Sequence, residues 1–72
     1  MMGMTATQKR LAKIKESNPA AHDVLQKFWS ESFGGMTLLG LDAQLHEAGL
    51  VGNEDPDIKY VIENIKRNIA SQ

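Results

Sequence analysis

Apolar residues recur along this chain at intervals of three and four. That period belongs to helices with one buried face. The clearest case is the last stretch, where Ile58, Val61, Ile62, Ile65 and Ile69 stand at offsets of 0, 3, 4, 7 and 11. Asp55 is placed to cap this helix, Pro56 to occupy its first position and Asp57 to add a favourable negative charge to its first turn.

Three earlier segments follow the same logic. Thr5 and Gln8 have the spacing of a capping box, which predicts a helix starting near Thr5 with Leu11 and Ile14 toward the core and Thr7 above them. Its opposite face carries Lys9, Arg10 and Lys13. Asn18 must end that helix, because a residue before proline is pushed out of the helical region, and it can cap the next one with Pro19 at the first position. On this second helix Ala21, Val24, Leu25, Phe28 and Ser32 share a side, and Trp29 and Phe33 extend the apolar arc around its edge. Gly34-Gly35 supplies the stop.

The third segment, MTLLGLDAQLHEAG, places Leu38, Leu41, Leu45 and Ala48 on one face. Gly40 lies inside it at a cost of about 1 kcal/mol relative to alanine, so the pattern allows either one helix or two short ones, the second capped by Asp42. Gly49 provides the C-terminal stop, with Leu50 set to fold back onto Leu45. The expectation is an all-α, compact single-domain bundle of four short amphipathic helices, or five if Gly40 breaks the third. Residues 5 to 72 form the domain, and residues 1 to 4 a flexible N-terminus with Met4 as the natural start.

Composition narrows the chemistry. The chain has 72 residues and no cysteine, which removes disulfides, thiolate metal sites and thiol catalysis. Its hydrophobic fraction of 42% is that of folded proteins, so it can build a core, but one too small to enclose a deep pocket as well. No apolar run precedes the basic residues of the N-terminus and no stretch approaches the roughly 20 apolar residues of a membrane span, so the expected setting is cytoplasmic.

The net charge of -1 argues against a protein devoted to the phosphate backbone. The charge is unevenly spread, with +2 over residues 1 to 33 and −3 over residues 34 to 72. LDAQLHEAGLVG resembles the front half of a helix-turn-helix, which implies DNA binding through the helix that follows. That helix opens on Glu54, Asp55 and Asp57, which DNA phosphates would repel. Lys9, Arg10, Lys13 and Lys15 are the better nucleic-acid candidates, yet no exposed aromatic is interleaved with them for base stacking.

The same acids do not make an EF-hand. A loop counted from Asn53 puts Ile58 and Asn64 where that site needs glycine and glutamate. His22 and His46 have no partner at metal-binding or catalytic spacing, and no glycine-rich phosphate loop is present. The sequence therefore points to no catalytic residue, cofactor or metal.

What remains is a non-enzymatic, protein-binding regulatory or adaptor domain. Two contact surfaces are candidates. One is the polar face of the last helix, where Tyr60 should stand exposed beside Glu63, Asn64 and Arg67; the other is the edge around Trp29 and Phe33, residues that also fit the core. The alternative, from another class, resembles a saposin-like leaf holding lipid or an amphiphilic surface, although such leaves carry disulfides that this chain cannot form. Nucleic-acid binding through the first helix ranks third, and association of two copies is one way to bury the broad arc of the second helix.

Overall fold

The computed structural model describes residues 5–71. Within them the chain forms four helices and no strand: α1 (Ala6–Ser17), α2 (Pro19–Glu31), α3 (Leu38–Glu47) and α4 (Pro56–Ala70). The expected all-α bundle is the fold observed; the flexible N-terminus expected for residues 1 to 4 lies outside the described residues.

Local chemistry accounts for the boundaries. Thr5 Oγ1 accepts from the Gln8 backbone N–H at 3.2 Å, and the Thr5 N–H donates to Gln8 Oε1 at 3.0 Å, closing the capping box of α1. Asn18 serves two helices, since its N–H donates to the Ile14 carbonyl and its side chain accepts from the Ala21 N–H at 3.2 Å. One residue thereby ends α1 and starts α2, fixing a connection with no slack. Asn18→Ala keeps the backbone N–H that ends α1 but removes the side-chain cap of α2. It is expected to cost about 1 kcal/mol, read as a fall in Tm of about 4–8 °C in a domain of this size.

Asp55 caps α4 by accepting from Asp57 and Ile58, and Asn53 Oδ1 in turn holds the Asp55 N–H at 2.8 Å. The acidic loop is thus built as a helix cap.

α3 is one continuous helix. Thr37, not Asp42, is its N-cap, and its hydroxyl accepts from the Gly40 N–H at 3.0 Å. Gly40 therefore sits in the first turn, where a Cβ would stand 3.1 Å from the capping oxygen. Glycine weakens the helix at this point but leaves the cap room to close. At the other end Gly49 takes φ 71°, its N–H donates to the His46 carbonyl, and the Leu50 N–H reaches back to the Leu45 carbonyl at 3.0 Å. This pair of bonds is a Schellman motif, and it turns Leu50 into the core.

The core is a single cluster of Leu11, Ile14, Ala21, Leu25, Phe28, Leu41, Leu45, Leu50, Ile58, Val61 and Ile65. α1 lies against both α2 and α4, while α3 packs chiefly on α4. Val24, Trp29, Met36, Ile62 and Ile69 close the margins as half-buried neighbours. Two expected core residues lie outside it: Leu38 and Ala48 are exposed, because α3 meets the bundle along the narrow Leu41–Leu45 line and turns both neighbours outward.

No helix among the described residues is long and apolar enough to cross a membrane.

Candidate functional site

The polar face of α4 differs from its expected form. Tyr60 is half-buried, and the Arg10 guanidinium carbon lies 4.7 Å from the centre of its ring. The same guanidinium donates to Asp57 Oδ1 at 2.8 Å, so Arg10 binds a carboxylate and an aromatic face together. Tyr60 is taken up by α1, not by Arg67. Asn64 is half-buried and lies along its own helix, its side-chain amide donating to the Tyr60 carbonyl at 2.9 Å. Glu63 and Arg67 stay exposed, and among the described residues no hydrogen bond or ring contact joins either to Tyr60.

This cluster is a clasp between α1 and α4. Its ion pair is partly solvated and adds little alone; with the cation–π contact the total is about 1 kcal/mol. Arg10→Ala is accordingly expected to lower Tm by about 4–8 °C, whereas Tyr60→Phe should leave it within a degree or two of the parent, because the ring and not the hydroxyl meets Arg10. Thermal unfolding of the two variants checks the pair.

The edge around Trp29 has the opposite character. Trp29 is half-buried against the core, and Phe33 stands on it in an edge-to-face arrangement, with ring centroids 5.0 Å apart and planes at 80°. Phe33 is nevertheless 63% exposed. The backbone beneath is held by Ser32, which is fully buried, donates to the Trp29 carbonyl at 2.7 Å and accepts from Asn68 Nδ2 at 3.2 Å. The end of α2 is thereby tied to the end of α4. An exposed aromatic ring is thus presented from a turn that Ser32 ties down, with one edge-to-face contact to Trp29.

A cleft of about 390 Å³ opens between α3, the following loop and α4. Leu45, Leu50 and Ile62 contribute apolar wall, and Asp42, Lys59, Glu63 and Lys66 supply two acids and two bases. With Val51, 53% exposed, it has an amphiphilic character without net charge.

The other chemistry-bearing residues are dispersed or occupied. Among the described residues no group of three or more His, Asp or Glu side chains is placed to hold a metal ion. His22 Nδ1 lies 3.1 Å from its neighbour Asp23, and His46 is exposed on α3. On α1, Lys9, Lys13 and Lys15 face solvent while Arg10 is engaged with Asp57. The connection between α3 and α4 runs from Ala48 to Asp55, longer than the three or four residues of a helix-turn-helix turn.

No known protein family, curated protein or solved structure matches the chain.

Sequence reasoning missed Arg10 as the cover of Tyr60 and Asn68 as the partner of Ser32. Ser32 itself carried a signal, since a serine on an otherwise apolar helical face needs a polar partner from another element.

Proposed function

We propose that this chain is a small non-enzymatic protein-binding domain, adaptor or regulatory in kind and acting in the cytoplasm, that engages its partner through the edge formed by Trp29 and Phe33. The observation supporting this reading is the exposure of Phe33 on the half-buried ring of Trp29. A ring already packed against a neighbouring ring has less rotamer freedom to lose when a partner closes over it, and aromatic anchors of this kind concentrate binding energy. Leu38 and Leu39, 46% and 81% exposed just beyond the glycine turn, add apolar surface to the same stretch of chain.

The polar face of α4 is the poorer of the two surfaces. Its aromatic ring is covered by Arg10, which leaves Glu63 and Arg67 as solvated charges of the kind that add little affinity at an interface rim.

The reading is tested by capture from a nuclease-treated lysate of the native organism. It expects a protein retained in fixed proportion to the bait. Recovery of nucleic acid alone from untreated lysate, or binding to liposomes with no protein retained, would replace it with one of the rival classes.

A further inference from the structure

The four helices are not tied into the fold equally. α1 and α2 share the Asn18 cap, α1 and α4 are joined by Arg10, Asp57 and Tyr60, and α2 and α4 by Ser32 and Asn68. α3 has none of this. Among the described residues no side-chain hydrogen bond or ion pair links it to another helix, and Leu41, Leu45 and the following Leu50 are its buried anchors.

Its surroundings are open on both flanks. Toward α4 lies the 390 Å³ cleft, and toward α2 a second gap of about 260 Å³ is lined by Val24, Lys27 and Phe28 on one side and Gln44, Glu47 and Ala48 on the other. Gly35 before the helix and Gly49 after it both have positive φ, 91° and 71°, so each end leaves the helix through a residue that can change its backbone angles at little steric cost.

From these separate observations we infer that α3 is a lid, opening as a unit on a core of α1, α2 and α4 that stays folded. Opening withdraws three leucines and the half-buried Met36, joins the two clefts and bares the Ile62 side of α4. Away from the core the ten residues of α3 are too few to hold a helix in water, so opening also releases their backbone hydrogen bonds. It leaves all three polar ties of the core intact.

Native-state amide hydrogen exchange of the whole chain tests it, under conditions where reclosing is faster than exchange. The amides of residues 42 to 48 and of Leu50 are expected to exchange at least ~30-fold faster than those of Leu25, Val61 and Ile65, with a smaller denaturant dependence. Two variants sharpen the reading. Arg10→Ala, which weakens a contact present in both closed and open states, should speed the core amides about fivefold and leave the α3 amides unchanged. Gly49→Ala strains the closed lid, so it should speed both groups by the same factor. Equal rates and equal denaturant slopes for α3 and the core in the parent protein, or equal acceleration of both by Arg10→Ala, would overturn the lid.

Discussion

Leu25→Ala should leave this protein largely unfolded at 37 °C. Leu25 is fully buried at the centre of α2, in the one core that all four helices share. Truncating such a leucine removes its transfer free energy and leaves a cavity, at a cost of about 2–5 kcal/mol. The single hydrophobic core of a domain of this size rarely supplies more than about 3–5 kcal/mol in total. The two figures are comparable, so the loss should be visible as collapsed helical circular dichroism and not merely as a shifted transition. Leu39→Ala, at a leucine 81% exposed, should stay within about 0.5 kcal/mol of the parent. A Leu25→Ala variant that melted within a few degrees of the parent would show that the shared core is not what holds the helices together.

Phe33→Ala should do the reverse, weakening binding while sparing the fold. If Phe33 is the anchor, its removal costs at least about 2 kcal/mol of binding free energy, close to a thirtyfold loss of affinity. Stability has less to lose, since the ring is mostly exposed and its contact with Trp29 is worth about 0.5–1.5 kcal/mol. Calorimetric titration of the captured partner gives the first quantity and thermal unfolding the second. Near-parent affinity would remove Phe33 as the anchor. A Tm collapse like that of Leu25→Ala would make it a core residue.

The legible features of the fold are those encoded within a turn or two of helix. Thr5 with Gln8, Asn18 with Pro19 and Asp55 with Pro56 each mark a boundary through groups three residues apart or fewer, and the structure places all three as caps. The isoleucine stripe of α4 was similarly readable, with Ile58, Val61 and Ile65 buried and Ile62 and Ile69 at the margin. α3 was harder because Thr37 and Asp42 both have cap chemistry. Thr37 caps the helix through the Gly40 N–H, which makes the glycine part of the first turn and not a break.

The candidate surfaces depended on contacts between distant parts of the chain. Tyr60 lies opposite the isoleucine stripe and by periodicity belongs in solvent, yet an arginine from α1 covers it. Nothing within α4 announces a residue fifty positions earlier. Phe33 presents the converse case, continuing the apolar arc of α2 on paper but standing beyond the last helical residue, Glu31, so the helical period no longer governs where its ring points. Ser32, buried beside it and tied to Asn68, shows how a polar residue on that arc can hold the turn in place.

In the proposed function the Trp29–Phe33 edge, and not the polar face of α4, meets the partner. The most direct measurement is a side-by-side capture from nuclease-treated lysate with the intact protein, Phe33→Ala and Arg67→Ala, after circular dichroism has shown all three folded. One protein should be retained by the intact chain and by Arg67→Ala and lost with Phe33→Ala. Retention by Phe33→Ala with loss from Arg67→Ala would contradict the proposal and move the site to α4.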